Sequence, residues 1–111
     1  MSFKVEVHRK TLHHNYCGDW IDASKIFDCP IQPLPGLVID LGKVRFRCHD
    51  LIYLASQNLW IVKEKDKSGY NYPDDLATMK IKLEEKGWTV VCSESVLEAL
   101  KDKKKRKKRK P

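Results

Sequence analysis

No stretch of this 111-residue chain approaches the roughly 18–20 consecutive apolar residues that a membrane-crossing helix requires. The first residues, Met1-Ser-Phe-Lys-Val-Glu-Val7, alternate charge with apolar side chains and lack the apolar core of a secretory signal. The chain is therefore expected to act inside a cell, away from membranes: in the cytoplasm, or in the nucleus if that cell, or a host, is eukaryotic. Cysteine is sparse and scattered. Cys17, Cys29, Cys48 and Cys92 form no Cys-x-x-Cys pair and no dense framework, so free thiols are expected in a reducing compartment. Neither a Walker motif nor a dinucleotide fingerprint occurs. Gly-x-Ser-x-Gly and His-Glu-x-x-His are also missing. No cofactor is expected, and a non-catalytic protein is favoured over an enzyme.

What is present is globular in composition, 41% hydrophobic and 33% charged. The length suits one domain, and a core this small has little spare stability, so Trp20, Trp60 and Trp88 are expected to supply core bulk. The charge is not evenly spread. Residues 101–111 hold nine of the 22 Lys/Arg and one of the 15 acids, a net charge of +8, which leaves residues 1–100 at −1. The boundaries that follow are a folded domain over 1–100 and a basic tail over 101–111. Lys103, Lys104, Lys105, Arg106, Lys107, Lys108, Arg109 and Lys110 repel one another and offer no apolar surface, so the tail is expected to be disordered.

Hydrophobic periodicity predicts an α+β fold: a mostly antiparallel sheet with two C-terminal helices packed on it. Phe3, Val5 and Val7 alternate with polar residues as in a half-buried strand. Residues 20–27 fit a short helix or an irregular strand, and Pro30, Pro33 and Pro35 stiffen the connection after them. Leu37, Ile39 and Leu41, then Val44, Phe46 and Cys48, read as two strands joined by a tight turn near residues 40–43. Residues 50–58 suggest a short helix capped by Asp50, with Leu51, Leu54 and Ala55 inward, and residues 59–65 a strand. Asn71-Tyr-Pro-Asp-Asp75 signals a helix start. Leu76, Met79 and Leu83 share one face of that helix, and Gly87 closes it. Residues 88–91 read as a short, largely buried strand. Ser95 and Glu98 fit a capping box for a last helix through Val96, Leu97 and Leu100, which frays into the lysines.

Three patterns could carry function. A run of cations releases counterions when it meets a nucleic-acid backbone, giving affinity without sequence information, so residues 103–110 point to DNA or RNA. The same run resembles a nuclear-import signal, which would leave the domain free to bind a protein partner as an adaptor or inhibitor. Lys43, Arg45 and Arg47 alternate with apolar residues and form a second candidate strip for phosphates on one strand face. Lys4, His8 and Arg9 would extend it if the first strand lies alongside. His13, His14 and Cys17, and the pair Cys48-His49, are the closest approaches to zinc ligands, but they supply only one half of a tetrahedral site. Buried apolar thiol is the default reading of Cys48.

Residues 75–91, a charged helix running into Leu83-Glu-Glu-Lys-Gly-Trp-Thr-Val-Val91, resemble the closing helix and strand of mismatch-repair-type endonucleases. The resemblance covers under a fifth of the chain. It implies a metal-dependent nuclease in which Asp40 or Asp50 supplies one acid and the next strand an acid-x-lysine triplet. Here Glu64-Lys65-Asp66 gives acid-x-acid, with no lysine two places after either acid, so the chain is not assigned to that family.

Overall fold

The structure, a computed structural model, describes residues 2–13, 18–70 and 73–108. The fold is α+β, as the periodicity predicts: a mostly antiparallel sheet and two helices that come last in the chain. The strands are β1 (Phe3–His13), β2 (Trp20–Cys29), β3 (Val38–Asp40), β4 (Arg45–Arg47), β5 (Asp50–Leu54), β6 (Leu59–Lys63), β7 (Lys67–Tyr70) and β8 (Thr89–Cys92). The helices are α1 (Pro73–Glu85) and α2 (Glu94–Lys108). The described chain divides into two compact units, and strands β1 and β2 each contribute a stretch to either one.

The first unit comprises Met1–Arg9 and Ser24–Lys65. Its strands are ordered β5-β6-β1-β2, with the β3–β4 hairpin as a separate two-stranded sheet. β1 runs parallel to β6, Val5 opposite Trp60 and Val7 opposite Val62. Val5, Val7 and Val62 are fully buried, as the alternation in residues 3–7 requires, each burial contributing about 1.5–3 kcal/mol. Phe46, Ile39, Cys29 and Cys48 complete this core.

The stretch 50–58 is a hairpin rather than the expected helix capped by Asp50. β5 pairs antiparallel with β6 in the register Leu51↔Val62, Ile52↔Ile61 and Tyr53↔Trp60. All of positions 51–54 are apolar, so the spacing of Leu51 and Leu54 fits either period, and the β-branched and aromatic cross-strand partners decide for the strand. The chain reverses where the Gln57 amide bonds to the Leu54 carbonyl (3.1 Å), and Asn58 takes φ +49°, a conformation asparagine tolerates.

The second unit comprises Lys10–Ala23 and Asp66–Pro111. β7 pairs parallel with the end of β1, β8 lies beside β2, and α1 packs on β7, β8 and α2. Residues 20–23 belong to a strand, not a helix, with Ile21 and Ala23 buried on one face and Trp20 and Asp22 half-buried on the other. α1 ends as expected. The amide of Trp88 bonds to the carbonyl of Leu83 and that of Gly87 to Glu84, both at 3.0 Å, while Gly87 sits at φ +91°. That pair of bonds is the Schellman closure, which satisfies two terminal carbonyls and needs a residue without Cβ at the left-handed position.

The start of α2 departs from the expected Ser95–Glu98 box. The helix begins at Glu94, and the carbonyl of Ser93 accepts its first bond from Leu97 (3.1 Å), so Ser93 holds the cap position. Its hydroxyl instead accepts the Trp20 amide at 3.1 Å, beside the buried Asp19, so a tertiary bond takes the place of a local cap. Val96, Ala99 and Leu100 are buried, whereas Leu97 is 46% exposed. Only Trp88 of the three tryptophans is fully in the core; Trp20 and Trp60 are half-buried. Val90 is buried but Val91 is exposed, so β8 alternates rather than burying both faces.

Candidate nucleic-acid interface

The predicted basic strip lies on the β3–β4 hairpin. Ile39 pairs with Phe46 across it, both buried, and this anchors one face. Side chains alternate along a strand, so Arg45 and Arg47 fall on the opposite, exposed face. Lys43 is exposed too, but it sits in the turn and not on the strand. Only two of the three cations therefore share the strand face. The turn forms around Gly42, at φ +83°. The Leu41 amide bonds to the Val44 carbonyl (2.8 Å), and the Gly42 amide donates to Asp40 Oδ1 (2.8 Å). Glycine first in a two-residue turn matches the natural twist of a hairpin.

The surroundings of the two arginines limit what this face can hold. Arg45 lies opposite Asp40, with its Nε 3.7 Å from Asp40 Oδ2, so part of its charge is already offset. Arg47 lies opposite Val38, an exposed aliphatic residue rather than an aromatic. A platform for single strands needs aromatic faces beside its cations, and this hairpin face supplies none.

The first strand does not extend the strip as a neighbour in the sheet. β1 pairs with β6 and β7, whereas β4 pairs with β3. The side chain of Arg9 reaches across. Its Nη2 donates to the Arg45 carbonyl, and its Nε donates to Glu64 Oε1, whose side chain is 10% exposed. Arg9 therefore ties β1 to β4 and the segment after β6, and its charge is matched within the protein. His8 Nε2 lies 3.3 Å from Glu6 Oε1 on the same strand, and Lys4 is exposed.

Two cation–aromatic pairs were not legible from spacing alone. Lys10 Nζ stands 5.2 Å from the Trp20 ring centre, and Lys25 Nζ 5.5 Å from that of Phe27. The first joins residues ten positions apart and exists only because β1 and β2 are neighbours. Tyr53, 45% exposed, packs on Trp60 with ring centres 4.8 Å apart and donates to Asn58 Oδ1 (2.8 Å).

Cys29, Cys48 and Cys92 are free thiols, the first two fully buried. Burial pushes the Cys48 thiol above the ordinary thiol value. A bond with the Leu34 backbone opposes the shift, and Cys29 and Glu64 add to it. Burial likewise raises Cys92, with Lys80 opposing and Glu84 adding. Both favour the neutral thiol, so neither has the low pKa of a nucleophile. His49, next to buried Cys48, is exposed. His14 and Cys17 lie outside the described residues, as does the His13 side chain. Among the described residues no group of three or more His, Cys, Asp or Glu could hold a metal ion. Of the acids considered for nuclease chemistry, Glu64 is engaged with Arg9 and Asp40 with Gly42 and Arg45.

The basic run lies at the end of α2, whose backbone is helical through Lys108, so the last helix runs into the lysines as expected. Lysine and arginine are good helix formers, and cations are favoured at the negative end of the helix dipole. Arg109 and Lys110 lie outside the described residues, as do the side chains of 102–108. No helix among the described residues is long and apolar enough to cross a membrane. Comparison with protein-family models, with curated proteins and with solved structures gives no match.

Proposed function

We propose that this chain is a non-catalytic, nucleic-acid-associated accessory protein that gains phosphate-backbone affinity from its basic C-terminal run. One observation carries the reading: residues 101–111 hold a net charge of +8 while residues 1–100 are at −1. Such a run displaces condensed counterions wherever phosphates are dense. Arg45, Arg47 and Lys43 form a weaker second contact, because Asp40 offsets Arg45. In a eukaryotic cell the run would also serve as a nuclear address.

The test is binding of the intact protein, and of a form lacking 103–111, to DNA and RNA over a salt series. Each phosphate contact adds about −0.9 to the log–log slope on duplex DNA, so eight engaged cations give about −7. The shortened form should lose most of that slope. Equal slopes for the two forms would overturn the reading.

A second reading, a protein-interaction module with the run as a localisation signal, is favoured by β5. This strand lies at the edge of its sheet in the first unit. Ile52 and Tyr53 are exposed on it, and no lysine or proline interrupts 51–54 to discourage pairing with another chain. Partner binding that survives removal of 103–111 would favour it.

A further inference from the structure

The chain is 33% charged, yet residues 48–62 contain a single Asp, Glu, Lys or Arg: Asp50. That stretch comprises β5, its turn and β6 as far as Val62. β5 is the edge of its sheet in the first unit, with β6 on one side. An edge strand turns alternate N–H and C=O groups outward, ready to pair with another chain, and charge, proline or a bulge usually discourages this. Here positions 51–54 are Leu-Ile-Tyr-Leu, and β5 pairs with β6 through five successive residues without a shift of register. Ile52 and Tyr53 are exposed. Neighbours along a strand point to opposite faces, so the edge is apolar on both sides.

The lack of charge decides what suits this edge. Tyr53 offers an exposed ring, packed on Trp60, on which a nucleobase could stack. Its phosphates would then follow a hairpin that supplies no Lys or Arg of its own before Lys63, and Lys63 stands opposite Asp50. A charged peptide finds no complement here either. A second copy of this chain brings an edge equally free of charge. Two copies at +7 each repel, and this hairpin lets them meet without setting cation on cation. Two β5 strands placed antiparallel about a two-fold axis at Ile52 put Ile52 opposite itself, Leu51 opposite Tyr53 of the second copy, and Asp50 opposite Leu54. These are pairs of the kind β5 already makes with β6, Ile52 with Ile61 and Tyr53 with Trp60.

We infer that two copies of this chain associate through their β5 strands, antiparallel and centred on Ile52, joining their sheets into one. The two-fold pairing uses the β5 edge of both copies, so the association closes at two. This names a partner for the edge that favours the second reading, and it does not depend on the nucleic-acid reading. Salt acts on the two in opposite directions. It screens the repulsion between copies and strengthens the pair, while it weakens phosphate binding.

The experiment follows the mass of the full-length protein by sedimentation over a range of concentrations, at low and at moderate salt, for the parent, Ile52→Lys and Ile26→Lys. Both variants put one cation in place of an exposed isoleucine, but Ile26 lies on β2, three strands from β5. The parent should pass from one chain to two, at lower concentration in higher salt. Ile52→Lys should raise the dissociation constant at least about tenfold, and Ile26→Lys by less than about twofold. Hydrogen exchange in the parent, read by mass spectrometry, should slow across residues 50–54 as concentration rises, which tests the edge without any variant. A parent that stays one chain, assembly that grows past two, equal effects of the two variants, or association without slower exchange at 50–54 would each overturn the β5 pairing. The second reading is judged separately, by partner binding after removal of 103–111.

Discussion

Replacing Phe46 with alanine tests the arrangement that sets Arg45 and Arg47 outward. Phe46 is 1% exposed and is the largest fully buried side chain among the described residues. It sits opposite Ile39 in a three-residue strand, and it is the one β4 side chain that is buried. Losing the ring beyond Cβ forfeits burial of roughly 150 Å² at about 25 cal/mol per Å², or about 4 kcal/mol, within the usual range for such truncations. That is a large fraction of the stability of a domain this size. With a urea slope of about 2 kcal/mol per molar, the unfolding midpoint followed by tryptophan fluorescence should fall by about 2 M. Arg47→Ala, one position on and exposed, should change stability by less than about 0.5 kcal/mol. A Phe46→Ala cost below about 1 kcal/mol, or one matched by Arg47→Ala, would refute the assignment of faces on this hairpin.

Gly87→Ala should cost about 1–2 kcal/mol, read as a lowered melting temperature, because alanine at φ +91° is strained where the closure of α1 needs a left-handed residue. Native protein should react with a thiol reagent faster at Cys92 than at Cys29 or Cys48, measured by mass spectrometry, because the latter two are fully buried. Stability should fall as pH rises above the ordinary thiol value. There the unfolded chain ionises its thiols while the raised thiol of folded Cys48 still holds its proton, so the unfolded state binds fewer protons. Below that value this contribution is fully present. Cys48→Ala should flatten the alkaline slope of a denaturation series, even though the variant itself is less stable.

Local chemistry makes several elements readable in the chain alone. The β3–β4 hairpin shows in the alternation through Phe46 and the glycine at its turn, and α1 shows in Pro73, its apolar face and Gly87. Each of these depends on residues within a few positions of one another. The uneven charge is likewise a property of composition along the chain, and it needs no fold to be seen.

Tertiary pairing decided the rest. Residues 51–54 are apolar at spacings that suit helix or strand, and only β6, across the hairpin, resolves them. Ser93 rather than Ser95 opens α2, and the amide of Trp20, 73 positions away, claims the Ser93 hydroxyl. Arg9, counted among the cations available to phosphate, is matched by Glu64, 55 positions on, and bound to the Arg45 carbonyl. Sequence period reports which face a side chain takes, but not which strand will lie beside it. The partners that neutralise a charge or take up a hydroxyl come from distant parts of the chain, and only their meeting in space determines which groups remain available.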